Sequence, residues 1–231
     1  MSIYQYPNYL DFIKNERKTL SFLANSSFIK KSFSSLADSA QHSFYDLSIK
    51  DTILRKREFS FGCNFDIKIE NNIRRIALEA QILPNFSLVS YVLSICENNE
   101  APFRVIRKFH FDYSIPNVNE DPKPVYHIQY GGEPSPQILA LNIDITELQP
   151  WLSTPRIRFY PINLALLLDM VFNEFRSDET VSIVERSEWR DFIKSNEEII
   201  LTPFYAGIAS FLNSAHKSKF LLRDFYYGRE N

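Results

Sequence analysis

The chain has 231 residues, a formal net charge of −2 and 45% hydrophobic residues, among which are 20 phenylalanines and 12 tyrosines. This length and apolar content suit one globular domain with a sizeable core and exclude a largely disordered chain. The small net charge argues against wholesale nucleic-acid binding, although short basic clusters leave open a nucleic-acid interaction through a local basic face.

Several classes of site are missing from the sequence. The two cysteines, Cys63 and Cys96, form no Cys-x-x-Cys pair, so neither a disulfide framework nor a zinc knuckle is expected and both should be reduced. Only Gly131 and Gly132 of the five glycines are adjacent, which excludes a dinucleotide-binding loop and a P-loop. We therefore expect no cofactor.

The N-terminus lacks the basic and then apolar plan of a signal peptide. The longest uninterrupted apolar run, 164–168, has five residues, which is too short to span a bilayer. These features predict a cytoplasmic protein that does not engage a membrane.

The first part of the chain, 1–57, has helical spacing. Apolar residues recur at intervals of about three and four over 10–27 and again over 28–54. This pattern predicts a helical hairpin or arm whose apolar stripe packs against the sheet that follows.

The pattern changes to period two at 58–160. Apolar and polar residues alternate over 59–69, which predicts a strand with one buried and one wet face. Turn residues separate further strands, so an antiparallel meander is expected. The predicted strands after the first are 74–83, 86–96, 103–113, 125–130 and 154–159.

The last part, 161–231, is predicted to be a helical cover. Pro161 is suited to the first position of an apolar helix ending near Phe175, and Asp169 inside that helix needs a partner, for which Arg156 or Arg158 is the candidate. Further starts are indicated at Asp178, at Ser195-x-x-Glu198 and at Thr202-Pro203. The segment 133–153 resists assignment.

Together these elements predict a single α+β domain. It has an N-terminal helical hairpin, a mainly antiparallel sheet of five to six strands, and C-terminal helices over the apolar face of the sheet.

Polar residues on three of the predicted strands form the candidate site. Residues two apart on a strand share a face, so pairing of these strands in order would bring the polar side chains together. The residues concerned are His110, Asp112, His127, Gln129, Arg156 and Arg158.

Three interpretations of this cluster are open. Two histidines can divide acid and base roles while arginines hold a phosphate and Asp112 orients an imidazole, which suits metal-independent phosphodiester cleavage. The same residue types also occur on the wet face of an antiparallel sheet without any catalytic role. A metal site built from His110, Asp112 and His127 has no diagnostic spacing, so no metal is expected.

The order of short motifs in this region resembles a set of uncharacterised bacterial proteins. The motifs are Phe-His-Phe-Asp-Tyr at 109–113, Tyr-His-Ile at 126–128, Pro-Arg-Ile at 155–157 and a Pro-led apolar helix that ends in Asn-Glu-Phe at 173–175. The resemblance covers about 70 of the 231 residues. It implies a bacterial origin and a setting in defence or mobile-element operons, and it transfers no catalytic residue.

The missing catalytic motifs and the many aromatic residues favour a non-catalytic interaction or accessory subunit of a bacterial multi-protein system, of the defence or toxin–antitoxin type, with a protein partner. One alternative is a small metal-independent nuclease or toxin that uses His110 and His127. Another is a chaperone-like sheet that binds an extended client, which requires an apolar groove left uncovered by helices. The sequence leaves the oligomeric state open.

Overall fold

The computed structural model describes residues 9–25, 59–69, 71–97, 104–114, 124–131, 156–215 and 226. The predicted helix over 28–54 and the unassigned segment 133–153 lie outside these residues.

The described part of the chain contains six strands, which form one antiparallel sheet in chain order and thereby confirm the predicted meander. Alternating apolar and polar residues give the sheet two chemically different faces. The strands are β1 (Phe59–Ile69), β2 (Asn72–Ile82), β3 (Leu88–Cys96), β4 (Val105–Ser114), β5 (Tyr126–Tyr130) and β6 (Arg156–Arg158).

Two of the turns place residues other than glycine at positive φ. Asn71, between β1 and β2, has a φ of 67°, which asparagine tolerates better than most residues. Phe86, in the 3₁₀ turn Pro84–Phe86, has a φ of 55°, which is unfavourable for a bulky side chain. Its ring is buried and lies 5.0 Å from the Tyr9 ring and 5.2 Å from the Phe12 ring, so aromatic packing offsets the backbone strain.

Four α-helices lie in the described residues. Pro161 does not start the second of them, contrary to the prediction, because Asn163 is the N-cap and its side chain accepts a hydrogen bond from Leu166 N at 3.1 Å. The helices are α1 (Tyr9–Asn25), α2 (Leu164–Glu174), α3 (Asp178–Val184) and α4 (Ser187–Ala215).

The predicted helix starts at Ser195 and Thr202 are wrong. The helix α4 is continuous over 29 residues and contains Pro203 in its interior. Its buried residues recur every three or four positions across both predicted breaks, so packing against the core overrides the local start signals. These buried residues are Trp189, Ile193, Asn196, Ile200 and Phe204.

The core lies between the helices and the apolar face of the sheet. The Phe65 ring of β1 is 5.8 Å from the Phe172 ring of α2, and the Tyr126 ring of β5 is 5.6 Å from the Phe204 ring of α4. Buried residues of α1, α2 and α4 form one hydrophobic cluster with buried residues of β1 to β5. The α+β class, with an N-terminal helix and C-terminal helices covering the apolar face, is as predicted.

None of the helices in the described ranges combines the length and the apolar run that crossing a bilayer requires.

Candidate functional site

Strand pairing brings the predicted site residues onto one face of the sheet in two neighbouring rows. In one row Asp112 is opposite His127, and His127 is opposite Arg158. In the other, His110 is opposite Gln129, and Gln129 is opposite Arg156. The pairing on which the candidate site depended is therefore present, and the two histidines are diagonal neighbours on adjacent strands.

Hydrogen bonds fix the first row. Ser90 Oγ on β3 donates to Asp112 Oδ1 at 2.5 Å. His127 Nδ1 lies 2.8 Å from the Pro124 carbonyl oxygen, which can only accept, so this nitrogen carries the proton. His127 Nε2 is 3.8 Å from Asp112 Oδ2, which is too long for a hydrogen bond. The imidazole is thus oriented by a backbone carbonyl and lies beside the carboxylate.

The face that carries these rows is not simply wet, contrary to the prediction. His127 is only 3% exposed, and several other polar side chains on the same face are also buried. They follow the strand register from β1 to β4, where Asn64 is opposite Ala77, Ala77 opposite Ser94, and Ser94 opposite Lys108. This face is a packed polar layer, and burial of such groups requires internal partners.

The surroundings of His110 lower the pKa of its imidazole. Burial is the largest cause lowering its pKa, and the positive charge of Lys108 acts in the same direction. Asp112 and a hydrogen bond with the Gly131 backbone oppose this effect. Its Nε2 is buried and has no hydrogen-bond partner among the residues that the structure describes.

This geometry limits a two-histidine proton relay. A general base must lie within hydrogen-bond reach of the proton that it removes from the substrate. The His127 ring is buried, so its base nitrogen is not accessible to a substrate in this conformation. Because Nδ1 carries the proton, the nitrogen that could act as a base is Nε2, which faces Asp112 and is buried with the rest of the ring.

The two arginines lie at the margin of the site. Arg156 is half-buried and Arg158 is exposed. The Arg158 guanidinium carbon is 5.3 Å from the centre of the Tyr226 ring, which is cation–π geometry. The described ion pairs include neither arginine.

Two exposed apolar residues near these arginines were not predicted from the sequence. Ile157 is 57% exposed and Tyr130 is 48% exposed. Both lie on the opposite face of the sheet from the histidines, and Ile157 is paired with Ile128. We call Tyr130, Arg156, Ile157 and Arg158 the β6 edge surface. The signal that could have identified Ile157 is its position between two arginines in a short predicted strand. An isoleucine in a strand is usually expected to be buried, so this signal was not used.

A second polar cluster, also missed, is buried among the helices. Glu16 of α1 is completely buried, and its Oε1 accepts from Leu164 N at 3.0 Å while its Oε2 accepts from the Tyr91 hydroxyl at 2.9 Å. Burial is the main cause that raises its pKa to about 8. Nearby in α2 and α4, Asn163 Nδ2 donates to Asn196 Oδ1 at 2.6 Å.

Asp169 does not pair with either arginine, contrary to the prediction. It accepts from the Trp189 indole nitrogen at 2.7 Å and from Asn173 Nδ2 at 3.1 Å. The Trp189 ring is buried against α2, so its N–H needs an acceptor at this position.

Other chemistry receives little support from the described ranges. They contain no group of three or more His, Cys, Asp or Glu residues arranged to hold a metal ion. Cys96 is buried, and burial raises the pKa of its thiol to about 11, so it remains protonated near neutral pH.

No protein family, curated protein or solved structure matches this chain. The resemblance to uncharacterised bacterial proteins, and the defence-type setting that it implies, therefore remain predictions.

Proposed function

We propose that this chain is a non-catalytic protein-interaction module that binds its partner through the β6 edge surface. The observation that carries the proposal is the exposure of Tyr130 and Ile157 on one face of the last two strands and of Arg158 on the other, with Arg156 half-buried beside it. Tyrosine and arginine are enriched in protein interfaces and among the residues that contribute most to binding.

The state of the histidines also supports a binding role over a catalytic one. A catalytic pair needs access to substrate, whereas the His127 ring is buried. The polar rows then serve to hold β4, β5 and β6 in register and to support the exposed edge.

A small metal-independent nuclease or toxin is the second candidate, because the strand register does bring His110, His127 and the two arginines together. Replacing both histidines by alanine separates the two functions. A nuclease loses RNA cleavage or toxicity in this variant, whereas the interaction module has no such activity to lose.

The chaperone-like alternative is not favoured. It requires an uncovered apolar groove, but most of the apolar face packs against α1, α2 and α4, and the exposed Tyr130 and Ile157 lie at its margin.

Site-specific photocrosslinking in the organism that carries the gene tests the interaction module. A photoreactive benzophenone amino acid replaces Ile157 in one variant and Ile73 in a control. Ile73 is a matched control because it is also a strand isoleucine, 56% exposed, but lies on β2 beside the first turn. We expect a discrete adduct with another protein from position 157 and none from position 73. Absence of an adduct from position 157 would contradict the proposal.

We extend the proposal to an accessory subunit of a bacterial multi-protein system. The support is the resemblance of the short motifs at 109–113, 126–128 and 155–157. Identification of the crosslinked protein, and of its gene's position relative to that of this chain, tests the extension.

A further inference from the structure

We propose that β6 binds an extended segment of the partner as an added antiparallel strand, in which two acidic residues flank an apolar one. This inference rests on the proposed function and names the chemistry of the partner. Three observations carry it: the direction of the backbone groups, the lack of a neighbouring strand, and the charges on β6.

The backbone of β6 presents hydrogen-bonding groups to its outer side. Phe159 N donates to the Tyr126 carbonyl at 3.1 Å, so the backbone of Phe159 faces β5. Backbone direction alternates along an antiparallel strand, so Ile157 also faces β5, while Arg156 and Arg158 direct their N–H and C=O groups outward.

The outer side of β6 has no neighbouring strand within the described ranges. β6 is the terminal strand of the sheet order, and its recorded pairing is with β5. A row of outward N–H and C=O groups is a template for another extended chain.

The two arginines decide which chain fits. Antiparallel pairing of two copies about Ile157 would place Arg156 opposite Arg158 of the second copy, and like charges directly opposite one another are destabilising. The arginines therefore disfavour self-association, as charged residues commonly do on edge strands. An added strand with acidic residues opposite Arg156 and Arg158 turns the same positions into attractive pairs.

The residue between the two acidic ones is expected to be apolar. It would lie opposite Ile157, on the face of the sheet that also exposes Tyr130. Aliphatic and aromatic cross-strand neighbours stabilise such pairs. The acidic–apolar–acidic order follows from the alternation of Arg156, Ile157 and Arg158.

A nucleic acid is the competing ligand for two arginines on an edge strand, of which Arg158 is exposed and Arg156 half-buried. Nucleic-acid interfaces neutralise many phosphates and are normally strongly basic, whereas this chain has a net charge of −2. Outward backbone groups also suit a peptide strand better than a phosphate chain.

Fluorescence anisotropy of labelled peptides with the full chain tests the inference. The probe is an extended peptide that alternates Glu and Val, and the matched probe alternates Lys and Val. We expect the Glu peptide to bind and the Lys peptide not to bind. In the R156E/R158E variant the preference should reverse, with the Glu peptide losing at least about tenfold in affinity. Reversal at two other exposed arginines, R186E/R190E, just before and within the first turn of α4, is the control and should leave binding unchanged.

N-methylation of the peptide tests strand addition separately from charge. In the proposed register the amides of the Glu residues point toward β6 and those of the Val residues point away. N-methyl-Glu peptides should therefore lose binding, and N-methyl-Val peptides should retain it.

Four results would overturn the inference. The first is that the Glu peptide does not bind, and the second is that it binds R156E/R158E as tightly as the wild type. The third is that N-methyl-Glu and N-methyl-Val peptides lose affinity equally. The fourth is that a single-stranded RNA binds more tightly than the Glu peptide and depends on the same arginines. A discrete crosslink from position 157 together with any of these results would leave a protein partner in place but reject the acidic strand. The two proposals can therefore fail separately.

Discussion

Glu16 ties three elements together through a carboxyl group that is protonated near neutral pH. It lies on α1 and accepts hydrogen bonds from the first residue of α2, Leu164, and from Tyr91 of β3. Burial opposes ionisation, whereas the two hydrogen bonds favour it, and burial is the larger effect. The folded state thus holds a proton that the unfolded state releases.

This difference predicts that stability falls as pH rises. The pKa of Glu16 is about 8 in the folded chain, against an ordinary value of 4.5. Glu16 therefore contributes its full stabilisation of the fold at pH values below 4.5, and this stabilisation is lost as the pH rises through the folded-state pKa of about 8. We expect the free energy of unfolding of the wild type, relative to Glu16→Gln, to fall by about 1.4 kcal/mol per pH unit between these limits. Urea unfolding of both proteins at several pH values measures this difference in the free energy of unfolding.

Glutamine is the right replacement because it keeps an acceptor for Leu164 N and cannot ionise. The comparison also cancels the opposite contribution of His110, whose lowered pKa favours the folded state as pH rises toward its ordinary range. Glu198→Gln, on the exposed surface of α4, is the control and should follow the wild type. If the free energy of unfolding of Glu16→Gln changed with pH in parallel with that of the wild type, Glu16 would not be the group that causes the fall in stability.

At this scale the sequence predicted which side chains share a face but not how buried they are. The alternation around His110 and Asp112 is enough to place both on one side of β4, because a strand has a period of two. Burial of His127 depends on what packs over that side, and the local pattern carries no information about it. The same limit hid Glu16, since a charged residue in an amphipathic helix is normally expected on the surface.

Gly131 determines how β5 ends. Its φ is 90°, in the region that residues with a side chain rarely adopt, and its N–H donates to the Lys108 carbonyl at 2.9 Å. The turn thus closes the pairing of β5 with β4 immediately after Tyr130.

Gly131→Ala is therefore expected to destabilise the fold by about 1–2 kcal/mol, because a Cβ is strained at this φ. The measurement is the free energy of unfolding by urea. Gly62→Ala provides a matched control in the interior of β1, where the nearest heavy atom to an added Cβ, Leu78 O, is 3.9 Å away. That variant should keep or raise the stability, by up to about 1 kcal/mol. Equal destabilisation by the two substitutions would contradict a specific backbone role for Gly131.

Element types were more predictable from sequence than element ends. Period-two alternation identified β1, and turn residues identified the meander, because both reflect local geometry. The start of α2 and the continuity of α4 depend on tertiary contacts. Asn163 caps α2 while bonding to Asn196 of a distant helix, and Ile200 and Phe204 keep α4 on the core across the predicted break.

On the scale of the whole molecule, the two faces of the sheet and its last edge differ in exposure. Helices cover the apolar face, and the polar face has buried members from β1 to β5. At the β6 edge, by contrast, Ile157 and Tyr130 are exposed beside two arginines. The proposed interaction role follows from this contrast.

The many aromatic residues in the composition suggested an interaction role but not its location. The location of an exposed edge depends on the order of the strands in the sheet, which composition does not contain.

Photocrosslinking from position 157, compared between the otherwise wild-type chain and the R156E/R158E variant, tests this account most directly. Both proteins carry the same photoreactive group at the same position, and the two arginine substitutions lie on a three-residue edge strand, where Arg156 is half-buried and Arg158 is exposed. We predict a discrete protein adduct with the arginines present and loss of that adduct when both charges are reversed. An adduct of undiminished yield in the R156E/R158E variant, or no adduct with either protein, would contradict binding through the β6 edge surface.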